Sequence, residues 1–147
     1  MSLQLYGRVP YGQLATGVGT YDVRDAAHER ATDAVLEPGC FGDAVQSSFV
    51  RCSLGHGGAC IGRTRDHTLQ IIDGSRALEF MVLVRHPAMA SILRTYRRIG
   101  QLHGVSPAWF SPESSGVHVR RATLIELAVI VGPRKPAFKG TRVEIVE

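Results

Sequence analysis

Apolar residues in this chain come in short runs separated by glycine. Such short stretches between sixteen glycines read as many short strands joined by tight turns. The pattern predicts a mainly β fold, with strands at Leu3 to Val9, Gly17 to Val23, Phe49 to Leu54, Thr68 to Ile72, Ala77 to Val84, Val105 to Phe110, Gly116 to Arg121, Thr123 to Val131 and Arg142 to Val146. Asp73-Gly74 is the best hairpin signal, because that dipeptide tolerates the positive φ angles of a tight turn. After His86-Pro87 a different pattern begins: Met89, Ile92, Leu93, Tyr96 and Ile99 recur at spacings of three and four. That predicts a helix from Pro87 to Gly100 with Arg94, Arg97 and Arg98 facing outward. Pro87 suits a first turn, where no N–H is needed, and Gly100 or Gly104 ends the helix. A shorter helix is expected over Phe41 to Ser47, following Glu37-Pro38-Gly39. Thr20 to Asp33 has no decisive period and is open between a strand end, a helix and a surface loop.

Composition narrows this to one soluble domain spanning 1-147. The 147 residues are 44% hydrophobic and 20% charged, enough apolar material for a core without disulfides. An odd cysteine count, the lack of an apolar run near about 18 residues, and no basic-then-apolar leader at Met1 to Pro10 predict a reducing interior and no membrane insertion. The formal charge is +4, with no block of like charge beyond Arg97-Arg98 and Arg120-Arg121, so nucleic-acid binding is not expected. An acidic protein partner suits that balance. The outward arginines of the helix offer a docking face for an acidic scaffold or for a second copy in a homodimer.

Three residues stand out chemically. Leu124 to Val131 is apolar on both faces except for Glu126, and a buried carboxylate needs a cation, a histidine or a cluster of donors. The plainer alternative is an exposed strand end or an arginine pair. His56 lies in Leu54-Gly55-His56-Gly57-Gly58, where small neighbours leave the imidazole accessible, as a general base requires; a loop histidine without a role is the alternative. Ser106 follows the helix and its glycine-rich exit at the start of an apolar strand, a setting that suits a nucleophile and also an ordinary strand filler. His28, His67, His86, His103 and His118 read as turn, cap or exposed strand residues. Cys52, His56 and Cys60, with His67 or Cys40, form a competing zinc set. They lack the close Cys-Cys knuckle of structural zinc sites, so no metal is expected.

Four segments, in this order and spacing, resemble the prohead maturation proteases of tailed phages and prophages, relatives of the herpesvirus assemblins. They are Leu36-Glu37-Pro38-Gly39-Cys40-Phe41; His56 with Ile61-Gly62-Arg63-Thr64; Gly100-Gln101-Leu102-His103-Gly104-Val105-Ser106; and Arg121 through Leu124-Ile125-Glu126-Leu127-Ala128-Val129 to Pro136-Ala137. The resemblance covers about Leu36 to Ala137. It implies a compact herpesvirus-protease-like β-barrel with flanking helices, Ser106 as nucleophile, His56 as base and Glu126 as the group that orients the imidazole. A further expectation places the oxyanion support in Gly132-Pro133-Arg134-Lys135, with Arg134 as its cation. No cofactor is implied. The implied substrates are the scaffolding protein and the scaffold-like arm of the major capsid protein, inside the immature phage head in the host cytoplasm. Pro107-Ala108 after the serine, Gly57 after the histidine and Ala128 in the last strand depart from the family pattern. A catalytically silent relative with an assembly role is therefore the rival expectation.

Overall fold

The computed structural model describes the backbone of residues 3–22 and 25–147, with side chains described in that range except at 16–32 and Ser111. The strands are β1 (Leu3–Pro10), β2 (Leu14–Asp22), β3 (Asp25–Leu36), β4 (Arg51–Leu54), β5 (Cys60–Arg63), β6 (Leu69–Asp73), β7 (Ala77–Val84), β8 (Leu102–Ser115), β9 (His118–Val131) and β10 (Arg142–Val146). One helix, α1 (Pro87–Arg98), and a 3-10 turn at Gly42–Gln46 accompany them. Four strands make one antiparallel sheet in the order β10-β1-β7-β6. Its inner face follows from alternation: Leu3, Leu5, Gly7 and Val9 of β1 are buried in turn, and a Cβ on Gly7 would stand 2.0 Å from the Phe80 ring.

The second sheet is organised by β9. One edge of β9 pairs along its length with β8; the other pairs in parallel with β3 at Val35↔His118 and Leu36↔Val119, then with β4 from Arg51↔Glu126 to Leu54↔Val129. With partners on both sides, the Leu127–Ile130 stretch of β9 is buried, which accounts for its unbroken apolar run. A single cluster of buried side chains draws on both sheets, with Phe41, Trp109 and Phe138 stacked at ring separations of 5.8 and 6.2 Å.

The mainly β character stands, but the closed barrel does not form among the described residues. The sheets end on β10 and β6, and on β2 and β5. Closure beyond β5 is met by a side chain instead of a strand: Thr68 Oγ1 accepts the Arg63 N–H at 2.9 Å. The layers are then joined by core packing rather than by a continuous ladder. Several boundaries also shift. Gly116 to Arg121 and Thr123 to Val131 become the one strand β9, because its alternation changes to continuous burial where β4 joins. The described residues of the undecided Thr20 to Asp33 fall in β2 and β3, residues 23–24 lie outside the description, and β5 was not expected. The Asp73-Gly74 loop turns without positive φ at either residue, closed by Gly74 N–H to the Ala77 carbonyl at 2.9 Å.

Helix α1 begins with Pro87 in its first turn and is followed by Gly100 at φ 72°. Its buried face is narrower than its apolar pattern: Met89, Ala90 and Leu93 are inside, while Ile92 and Ile99 stay exposed because α1 rests on β7 and β8 along one stripe only. Arg94 and Arg97 pair with Glu147 at 2.7 and 3.5 Å, which partly neutralises the expected docking face. No helix among the described residues is long and apolar enough to cross a membrane.

Candidate active site

Strand register assembles the site. Ser106 of β8 and Ser53 of β4 both lie opposite Ala128 of β9, so the three form one row across the sheet with side chains on one face. Glu126, two residues before Ala128, shares that face, and Arg51 lies directly opposite it. The middle of the row is the small, fully buried side chain of Ala128. His56 enters from the end of β4. Gly55 N–H extends the parallel ladder to the Val129 carbonyl at 2.9 Å, and positive φ at Gly55 (73°) and Gly57 (68°) then folds the chain back toward β5.

The expected three residues meet. His56 Nδ1 lies 2.8 Å from Glu126 Oε1, and His56 Nε2 lies 3.1 Å from Ser106 Oγ. Glu126 and Ser106 are buried, at 8% and 7% exposure, whereas the His56 side chain is 48% exposed. Glu126 therefore faces inward, and the exposed strand end weighed for it is excluded. Its second oxygen is also held: Ser53 Oγ donates to Oε2 at 2.8 Å and the Gly57 N–H at 3.0 Å. Arg51 Nε stands 3.7 Å from the same oxygen, close enough for charge attraction but without a hydrogen-bond acceptor of its own, while its terminal nitrogen donates to the Gly58 carbonyl.

These contacts set the protonation pattern. Burial pushes the Glu126 carboxyl up, but donation from Gly57, His56 and Ser53, together with the charge of an imidazolium, outweighs it and holds the group below its ordinary value of 4.5. An ionised Glu126 can only accept, so Nδ1 of His56 carries a hydrogen, and the neutral ring presents Nε2 as an acceptor to the Ser106 hydroxyl. This is the connectivity that acyl transfer asks of a nucleophile, a base and an orienting acid.

A cleft of about 430 Å3 opens in front of Ser106, lined also by His56, Tyr96, Ile130, Arg134 and Lys135. Arg134 lines the same cleft as the serine. Its loop is fixed by His103, whose Nε2 meets the Gly132 carbonyl at 2.6 Å, and by Gly132 N–H to the Gln101 carbonyl at 3.0 Å. Gly104 permits the close approach of the following segment: a Cβ there would stand 2.4 Å from Thr141 Oγ1 and 2.8 Å from Pro136. Pro107 is accommodated without disturbance, since register is unbroken from Gly104 to Ala108. β8 pairs only with β9, so the missing N–H is tolerated as it is on any edge strand.

Sequence reasoning did not single out Ser53, Arg51 or His103. The signal for the first two was their period-two spacing with one another on the strand that leads to His56; for His103 there was none. Cys40, Cys52 and Cys60 are free thiols, the first two buried, and burial lifts Cys40 to about 12 and Cys52 higher still. His56 is engaged by Glu126 and Ser106, not by the cysteines, and among the described residues no three His, Cys, Asp or Glu side chains converge as a metal site. His28 lies outside the described side chains. Comparison of the chain with protein-family models, curated proteins and solved structures returns no match.

Proposed function

We propose that this chain is a serine endopeptidase of capsid maturation with a herpesvirus-protease-like fold. It cuts the scaffolding protein and the scaffold-like arm of the major capsid protein inside the immature phage head, in the host cytoplasm. The observation that carries the reading is the hydrogen-bonded line from buried Glu126 through His56 to Ser106, open to a cleft at the serine end. The substrate class rests on the resemblance of the four motifs to prohead maturation proteases.

In this reading Ser106 Oγ attacks the scissile carbonyl as His56 Nε2 takes its proton, and Glu126 stabilises the imidazolium without being protonated itself. The imidazolium then protonates the leaving amine as the peptide C–N bond breaks, which leaves an acyl ester on Ser106. Water, deprotonated by His56, attacks that ester and restores the hydroxyl. The developing oxyanion is stabilised by the loop of Gly132 to Lys135, with Arg134 as its cation.

The test is incubation of purified protein with the capsid and scaffold proteins of its own genome neighbourhood, alongside labelling by a fluorophosphonate probe. Cleavage and a probe adduct on Ser106 support the reading. A folded wild-type protein that neither cleaves nor labels is instead the silent assembly relative.

A further inference from the structure

The Gly62-Arg63-Thr64 motif has no part in the triad, yet the structure spends several contacts on fixing it. The Thr64 N–H donates to the Val50 carbonyl at 3.0 Å, and the Val50 N–H donates back to Thr64 Oγ1 at 3.1 Å. Gly62 lies so close to β7 that a Cβ would stand 2.6 Å from Val82. The result is a fixed wall at the Arg63 end of the β4–β5 hairpin, where Arg63 lies directly opposite Arg51. It encloses a concavity of about 320 Å3 lined by Arg51, Arg63, Arg65, Ser48 and Phe49. Through Ser48 and Arg65 this runs into a second of about 510 Å3, along β6 and the 3-10 turn.

Three features of this groove point to one kind of occupant. Its charge is positive: three arginines and no Asp or Glu line the two concavities, and although Arg51 is drawn to Glu126, Arg63 and Arg65 make no ion pair within 4 Å among the described residues. Asp66 feels the charge of Arg63 but commits its hydrogen bonds to Thr68, accepting from its hydroxyl at 2.5 Å and its N–H at 3.1 Å. The walls are also apolar in places that solvent does not favour, with Phe49 73% exposed and Ile72 55% exposed. Finally, β6 ends its sheet, so one edge of Leu69–Asp73 has no strand partner and is free to meet an extended chain.

We propose that this groove docks an extended peptide segment in which acidic residues alternate with apolar ones. Carboxylates meet Arg63 and Arg65, and an apolar side chain covers Phe49. A small inorganic anion has no use for the aromatic wall, and a nucleic-acid backbone no use for Ile72. No triad residue lines the groove, and Arg51 links the two through Glu126 at 3.7 Å, so docking is tested apart from chemistry.

The experiment uses full-length protein with Ser106→Ala, so that nothing is cleaved, and fluorescently labelled peptides of alternating Glu and Leu, Gln and Leu, or Lys and Leu. Anisotropy should show the Glu peptide binding about tenfold more tightly than the Gln peptide, with the Lys peptide weakest and the difference shrinking as salt rises. Arg63→Glu with Arg65→Glu should remove that preference, and Phe49→Ala should weaken binding of the Glu and Gln peptides alike. Both side chains are exposed, and an unchanged thermal midpoint certifies the fold. Equal affinity for the three peptides, or binding that survives the double reversal, overturns the proposal. So does displacement of the Glu peptide by inorganic phosphate or a single-stranded oligonucleotide at matched charge. In the Ser106-containing protein the double reversal should leave probe labelling of Ser106 unchanged, so failure of docking and failure of the protease reading are told apart.

Discussion

Two ends of the β4–β5 hairpin treat charge in opposite ways. Toward His56, Glu126 is buried and both of its oxygens are engaged, by His56 on one and by Ser53 and Gly57 on the other, with Arg51 behind. At the other end Arg63 and Arg65 are exposed and make no ion pair within 4 Å among the described residues. A closed array of this kind behaves as one unit, because each member lowers the cost of burying the others. An open set of exposed charges acts additively and waits for an external partner. The difference teaches where single substitutions should be catastrophic and where they should be mild.

The largest effect is expected at the serine. Ser106→Ala should lower peptide cleavage by about 10^4-fold or more, His56→Ala by about as much, and the pair by little beyond either, because they act as one unit. Losses that add, read from single-turnover rates, would break the closed array into independent parts. Next comes Glu126→Gln. It keeps the shape but removes the charge that fixes the imidazole tautomer, and should cost about 10^3-fold or more in kcat. A loss confined to KM would mean that Glu126 shapes the cleft instead.

Ser53→Ala tests whether the second oxygen matters. It removes one donor to a buried carboxylate, and should lower kcat about tenfold and stability by about 1–3 kcal/mol in chemical denaturation. No change in either would show that Gly57 alone suffices. A smaller effect concerns acid stability. Since the folded carboxyl of Glu126 is held below 4.5, its ionised form stabilises the protein at pH above that ordinary value. The contribution is lost as pH falls through the depressed folded value. Denaturation midpoints followed from neutral pH downward should therefore show an acid-sensitive step that Glu126→Gln removes. Smallest of all, reversing Arg63 and Arg65 should move stability by only about 0.5 kcal/mol, as exposed charges do; a larger shift would mean that the groove is part of the core scaffold.

The legible part of the fold was the part governed by local period. Leu3–Pro10 alternates cleanly because one face meets the core and the other does not, Ala77–Val84 is a short apolar run of strand length, and Pro87–Arg98 carries a helical stripe. β5 was illegible because four residues beginning with Cys60 carry too little pattern, and its existence depends on pairing with β4. The apolar face of α1 was overread, since spacing says which residues lie together and not how wide a surface receives them. Ser106, His56 and Glu126 were found because each is chemically conspicuous in its setting. Ser53 was missed because a strand serine looks the same whether or not a carboxylate lies above it.

What the sequence by itself determined was the β character, the single strong helix and the three residues whose chemistry is out of place in apolar or glycine-rich surroundings. Those properties depend on neighbours within a turn or a strand, where covalent spacing dictates geometry. Only the tertiary structure decided that the sheets stay open, that Ser106 and Ser53 flank Ala128 in one row, and that Arg51 stands behind Glu126. Such facts depend on register between strands far apart in sequence, as in Arg51↔Glu126, 75 positions apart. That register is fixed by the burial of whole faces at once, and no local pattern records it.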